Sequence, residues 1–197
     1  DVYKRQVEDT ALCLPEGAVL MKPGAPSRFG EVSEIEPVLN DFFREVRSIS
    51  GNGTIEAGDI LVTPREVIVG RSTRTNRLGI LELREILKGW NYDFRDISVP
   101  NGVLHFKSDC SLLDANTVLS TKRLAASKCF DNYDVILTHE GEEAAANAIR
   151  YNDYVIMAAG FPKTAKILKD FGYNVKEIGN SESAKIDGGM SCLSLRF

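Results

Sequence analysis

The sequence predicts an α/β fold made of repeated strand-strand-helix units that close into a ring, on three observations. An acidic residue after a small or polar one, followed by alternating apolar residues, recurs along the chain. In the better copies two short β-branched runs flank a turn, and a helical stripe follows them. The chain is 43% hydrophobic over 197 residues, enough for one core of ordinary size. A single unit of about 45 residues is too small to bury its own apolar face, so units must stack.

The copies read EDTALCLP, GDILVTPREVIVG, SDCSLLDANTVLS and NDYVIMAAGFPKT, with Asp9, Asp59, Asp109 and Asp153 spaced 50, 50 and 44 residues apart. DGGMSCLSLRF, from Asp187, is a shortened fifth copy whose tail reads as a strand. In the second copy two apolar runs surround Pro64-Arg65-Glu66, a hairpin signal. Leu78, Leu81, Leu83, Ile86 and Leu87 then form a helical stripe. In the first copy Val32, Ile35, Leu39, Phe42 and Val46 keep that spacing, with Pro37 expected to bend or split the helix. The fourth copy's helix, PKTAKILKDFGY, carries a proline near its start and Gly172 near its end. In a closed ring the leading aspartates converge on one end of a channel, where they repel unless a cation or arginines sit between them. The alternative is that each aspartate caps its own turn.

Net charge is -4 with no lysine or arginine run, which excludes the basic footprint of a nucleic-acid binder and favours small or cationic partners. No apolar stretch approaches the roughly 18 to 20 residues of a membrane helix, so no membrane partner is expected. Cys13, Cys110, Cys129 and Cys192 form no CxxC and no paired spacing. That argues against zinc and against a secreted disulfide framework, and sets a reducing, cytoplasmic location as the expectation. The opening DVYKRQ lacks an initiator methionine and matches neither a signal nor a transit peptide. Residues 1–6 are therefore read as a foreign or truncated start and residues 7–197 as a single domain.

Cys192 is either a small buried hydrophobe or a nucleophile, and the neighbouring Gly188 and Gly189 allow the close backbone approach that a site requires. A nucleophilic cysteine needs an acid or base, and the chain has two histidines. His105, four residues before Asp109, is the better candidate, while His139 sits where a strand gives way to a loop. Glu56 is either a solvated loop residue or the carboxylate that orients His105. Arg28 and Arg74 occupy matching places before the helices of the first two copies, and paired guanidinium groups at a rim suit a substrate carboxylate. Glu8 and Asp9 lead into the first strand as two candidate ligand-binding acids.

VEDTAL, PGAPSRFGE, EAGDILVTPREVIVGRSTRTN, LHFKSDCS, AAGFPKTA and KIDGGMSCLSLRF together resemble the dimethylarginine dimethylaminohydrolases of the amidinotransferase (pentein) superfamily, from Val7 to Phe197. The resemblance implies a five-bladed α/β propeller, incomplete at its N-terminus, with the active site in the central channel. It implies Cys192 as nucleophile, His105 as general acid and base, and Glu56 as its orienting carboxylate. Glu8 and Asp9 would hold a guanidinium, and Arg28 and Arg74 its α-carboxylate. No metal or organic cofactor is implied, and a homodimer is left open. The reaction implied is hydrolysis of a methylated arginine to citrulline and an alkylamine through a covalent S-alkylthiouronium. Arginine deimination, amidino transfer and a non-catalytic binding module are the alternatives. Val2-Tyr3-Lys4-Arg5-Gln6 stands where relatives carry an apolar strand with a substrate-binding aspartate, which puts the first blade and its closing loop in doubt.

Overall fold

The computed structural model describes residues 6–197; of the foreign or truncated start expected at 1–6, all but Gln6 lies outside the described residues. The chain is α/β, and one topology recurs in four three-stranded sheets: an antiparallel hairpin, a helix, and a third strand parallel to the second. The first sheet joins β1 (Ala11–Leu14), β2 (Gly17–Leu20) and β3 (Val46–Ser48) through α1 (Phe29–Phe42). The second joins β4 (Ile60–Val62), β5 (Val67–Arg71) and β6 (Phe94–Ser98) through α2 (Arg77–Gly89). In the third, β7 (Cys110–Leu112), β8 (Thr117–Ser120) and β9 (Asp134–Leu137) surround α3 (Lys122–Ala125). In the fourth, β10 (Ile149–Tyr151), β11 (Tyr154–Ala158) and β12 (Asn174–Ile178) surround α4 (Pro162–Asp170), and a short α5 (Ser181–Ala184) follows. Among the described residues, no helix is long and apolar enough to cross a membrane.

The chain packs as two compact units, the first holding the chain up to Val99 with Leu104–Phe106 and Cys192–Phe197, the second holding Pro100–Val103 and Lys107–Ser191. The first buries Leu12, Val19, Ile55, Ile60, Val67, Val69, Ile80, Leu83 and Leu87 between its sheets and α2. The second buries Leu113, Leu119, Val155, Met157, Ala165 and Leu168. At about 25 cal/mol per Å² of apolar surface, such aliphatic clusters are the main source of stability in each unit.

The third strand of each sheet carries no clear sequence pattern, because of the seventeen positions in these four strands only Ile136 is buried. Water on most of its length removes the period-two signal that marks a half-buried strand. The helical stripes shift likewise. In α2 the buried positions are Gly79, Ile80, Leu83 and Leu87, whereas Leu78 and Leu81 face solvent at 57% and 42% exposure. In α1 only Leu39 is buried, Phe42 points outward, and Val46 belongs to β3. One helix runs through Pro37 without splitting. The expected start and stop of α4 are both present: Pro162 occupies its first turn and Gly172 follows with φ +89°.

A 3-10 turn opens each hairpin: Val7–Thr10, Ala57–Asp59, Phe106–Ser108 and Glu143–Ala146. Asp9, Asp59 and Asp109 lie in or just after the first three and are buried. Asp153 does not share this position, since it is exposed in the β10–β11 turn; Asn147 stands there instead. Asp187 is also exposed, with φ +58°. These side chains do more than cap their own turns. Asp9 Oδ1 accepts from the Gly58 N–H at 3.0 Å, Asp59 Oδ1 from Phe106 N–H at 2.9 Å, and Asn147 Oδ1 from Ser191 N–H at 2.8 Å. Each therefore holds the turn that opens a following repeat.

Asn76 caps α2 by accepting from Gly79 N–H, and its side chain also bonds Thr54. The helix consequently lies so close to Thr54 that a Cβ on Gly79 would stand 2.4 Å from the Thr54 carbonyl oxygen. Alanine normally gains about 1 kcal/mol over glycine inside a helix. Here steric overlap with fixed backbone dominates, and Gly79→Ala is expected to lower stability by about 1–3 kcal/mol. Urea unfolding followed by circular dichroism measures it; an unchanged or raised midpoint contradicts the packing argument.

Candidate active site

The acidic and basic candidates of the first unit meet at its 3-10 turns. Glu56 precedes the turn Ala57–Asp59 in extended conformation and is fully buried. Its Oε1 accepts from Gly24 N–H at 2.8 Å, its own N–H donates to Thr75 Oγ1 at 3.1 Å, and its Oε2 lies 2.6 Å from His105 Nε2. Asp9 Oδ1 is 4.0 Å from the same imidazole nitrogen. Asp59 approaches from the turn beside it, held by Ser72 Oγ at 2.6 Å and by Phe106 N–H. Gly58 makes this crowding feasible, since a Cβ there would sit 2.4 Å from Asp9 Oδ1 and 3.1 Å from His105 Cγ.

Burial works against a charged His105, but the Glu56 hydrogen bond and the carboxylates of Asp9, Asp59 and Glu56 outweigh it and raise its pKa from 6.5 to about 9. Burial likewise pushes Glu56 upward, yet the His105 bond and charge, the Gly24 N–H and Arg28 hold it below the ordinary carboxylate range. For Asp59 burial prevails, and its carboxyl is raised despite His105, Ser72, Thr75 and the Phe106 N–H. The two partners of the His105–Glu56 contact thus shift in the directions of an ion pair.

Arg28 departs from its expected place at a rim. It is 3% exposed and turned into the acids: Nη1 donates to Asp9 Oδ2 at 2.7 Å, Nη2 to Glu31 Oε2 at 2.8 Å and to the Gln6 carbonyl at 3.2 Å. With this many acceptors around it, burial of the guanidinium costs less than leaving Asp9 unpaired would. Arg74 remains partly accessible, with Nη1 3.6 Å from Glu56 Oε1 and without a hydrogen-bond partner among the described residues. Glu8 is buried beside Asp9, and its Oε1 accepts from Arg196 Nη2 at 3.0 Å. Cys192 is a half-buried cysteine in the 3-10 turn Ser191–Leu193, in place of the strand expected there; the turn follows Gly189, whose Cβ would stand 2.3 Å from Asn147 Cγ. His139 lies in the second unit, its Nδ1 2.7 Å from the Glu140 carbonyl.

Among the described residues, Asp9, Glu56 and His105 are the grouping whose donor atoms, all within 4.8 Å, have the spacing to hold a metal. The chemistry of the set fits poorly: a His105 held protonated to about pH 9 has no lone pair to offer, and Arg28 already supplies a cation to Asp9.

No family model matches the chain. It is 38% identical over 192 residues to an N(G),N(G)-dimethylarginine dimethylaminohydrolase of Pseudomonas aeruginosa, covering 97% of this chain and 75% of that one. The chain belongs to the dimethylarginine dimethylaminohydrolase family. A crystal structure of the Pseudomonas aeruginosa family member, a cysteine-to-serine mutant complexed with citrulline, matches at TM-score 0.94 and 37% identity, over 98% of this chain and 76% of that one. A histidine-to-glycine variant of a family member, in an adduct with S-methyl-L-thiocitrulline, matches equally at TM-score 0.94.

Several residues of this cluster carry little or no local mark in the sequence. Glu31 had one available, since it follows Arg28 by three residues on a helical turn. Asp59 marks the second repeat in the sequence, and its proximity to His105 has no local signal. Arg123, which pairs with Asp109, extends the Arg28 and Arg74 positions to a third repeat. Arg196 lies 188 residues from Glu8 and no local pattern announces that pair.

The raised His105 pKa has a sign for stability. A group whose pKa rises on folding stabilises fully below its unfolded value of 6.5, and that contribution is lost as pH climbs through about 9. The thermal midpoint is expected to fall between those limits, with a shallower fall in His105→Gln; parallel curves for the two proteins in a pH series of melts would refute the assignment.

Proposed function

We propose that this chain hydrolyses an Nω-methylated arginine, converting asymmetric dimethylarginine to citrulline and dimethylamine. The observation that carries the reading is the buried His105 Nε2–Glu56 Oε2 contact at 2.6 Å, ringed by further carboxylates, in the unit that also carries Cys192. Family membership supports it, as do relatives solved with citrulline and with a thiocitrulline adduct. Carboxylate walls suit a substrate that arrives as a cation. Acyl transfer would instead call for N–H donors aimed at a developing oxyanion.

In this reading the Cys192 thiolate attacks the guanidinium carbon and forms a C–S bond. His105, protonated below about pH 9, gives its proton to the departing dimethylamine as the C–N bond breaks, leaving an S-alkylthiouronium. His105 then takes a proton from water, whose oxygen bonds to the same carbon. Breaking the C–S bond returns the thiolate, and loss of the remaining hydroxyl proton to the released dimethylamine leaves citrulline. Glu56 holds the imidazole in one orientation, Asp9 and Glu8 take the guanidinium charge, and Arg74, with its unmet Nη1 donor, takes the substrate carboxylate. The chemistry calls for no metal or organic cofactor.

Citrulline formation from asymmetric dimethylarginine tests this directly. Cys192→Ser is expected to lower it by about 10³-fold or more. Citrulline made at the unsubstituted rate would remove Cys192 from the mechanism, and ammonia in place of dimethylamine would move the reading to a deiminase. The rate of the unsubstituted chain is expected to decline as pH passes about 9, where His105 loses its proton.

A further inference from the structure

Both carboxylates assigned to the substrate guanidinium already hold guanidinium groups of the chain itself. Arg28 Nη1 stands 2.7 Å from Asp9 Oδ2 and 3.6 Å from Glu56 Oε2, with both side chains at least nine-tenths buried. Arg196 Nη2 stands 3.0 Å from Glu8 Oε1. The guanidinium plane of Arg28, with its fixed fork of donors, has the same chemistry as the group the substrate brings. A ligand guanidinium that pairs with Asp9 must therefore take over the oxygen Arg28 now occupies.

The segment carrying Arg28 is the 3-10 turn Pro26–Arg28 leading into α1, a helix that buries Leu39 and packs the half-buried Val32 and Ile35 beside it. Asp9 is fixed from its other oxygen by Gly58 N–H, and Glu56 by Gly24 N–H and Thr75. Glu31 rides on the same helix as Arg28 and pairs with it at 2.8 Å, so the two can move together without abandoning that charge. Arg74 Nη1, 3.6 Å from Glu56 Oε1 and lacking a hydrogen-bond partner among the described residues, marks where an anion is wanted nearby.

We infer that Arg28 is a selectivity gate: its guanidinium sits against the Asp9 and Glu56 carboxylates and yields them to ligands that carry both a guanidinium and a carboxylate. The reason is charge balance. A bare guanidinium can replace Arg28 at Asp9 but leaves Arg28 with one counter-ion fewer. A carboxylate alone can attract Arg28 but leaves Asp9 buried and unpaired. A methylated arginine supplies both halves at once, its guanidinium to Asp9 and its α-carboxylate to Arg28 beside Arg74. The inference deepens the proposed function and rests on it.

The test uses Arg28→Gln in a Cys192→Ser background, where neither ligand is consumed, with methylguanidine and Nω-methyl-L-arginine titrated by calorimetry. Removing a gate raises the competent fraction, so methylguanidine is expected to bind the Arg28→Gln protein about 10-fold more tightly, while Nω-methyl-L-arginine binds it about 10-fold more weakly. Opposite signs support the gate; both ligands weakening together, or methylguanidine affinity unchanged, overturns it. Should circular dichroism show the variant unfolded, the Arg28 Nε–H resonance of the Cys192→Ser protein decides. A resonance that shifts on saturation with Nω-methyl-L-arginine and responds less to methylguanidine supports displacement; one that stays fixed with Nω-methyl-L-arginine overturns it. Failure of Nω-methyl-L-arginine to bind either protein overturns the proposed function and the gate with it, whereas citrulline formation by the Cys192 chain without the opposite signs overturns the gate alone.

Discussion

Asp9 is 1% exposed, and a carboxylate buried to that degree is costly unless both of its oxygens find hydrogen-bond partners. One takes the Gly58 N–H, which begins the next repeat; the other takes Arg28, which leads into the helix of its own repeat. A single side chain thus ties a 3-10 turn, a helix and the following turn into one arrangement. The same logic recurs at Asp59, between Ser72 and Phe106 N–H, and in the second unit at Asn147 with Ser191 N–H. Breaking one partner of such a buried pair leaves an uncompensated charge, commonly a loss of about 3–5 kcal/mol. The turns that carry functional side chains are therefore placed by buried polar bonds more than by apolar packing.

This construction also sets the electrostatics. Glu56, Asp9 and Asp59 surround one imidazole, and the excess of acid over base is what lifts His105 toward about 9 against the effect of burial. Arg28 and Arg196 keep the remaining acids from repelling one another. Under the proposed reading, such a cluster offers the two conditions that expulsion of an amine from a guanidinium requires, a cationic reactant held by acids and a protonated histidine at neutral pH. Gly58 is part of the same arrangement, because any side chain there would drive Asp9 and His105 apart.

Local patterns of the chain foretold the hairpins around Pro64-Arg65-Glu66, the caps of α4 and the repeat marked by Asp9, Asp59 and Asp109. They foretold the fourth repeat less well. An aspartate in a hairpin turn, Asp153, looks the same in sequence as one before a strand, while the position itself holds Asn147. The third strands were hidden because water on most of their length erases alternation, and the stripe of α2 was displaced because Gly79, without a side chain, is the residue that touches Thr54.

What the sequence determined alone was local: apolar periods of two and near 3.6, turn residues, and a set of acids, arginines, a histidine and a cysteine of the kinds guanidinium chemistry uses. The tertiary structure decided which of them meet. Glu56 and His105 are 49 residues apart, Asp9 and Gly58 also 49, Glu8 and Arg196 188. It also turned Arg28 inward to Asp9, against the expectation of a rim position. The reason is physical: helix and hairpin signals come from neighbours a few residues away, whereas the pairing of buried charges depends on where the backbone has carried them and on which oxygens burial has left without water.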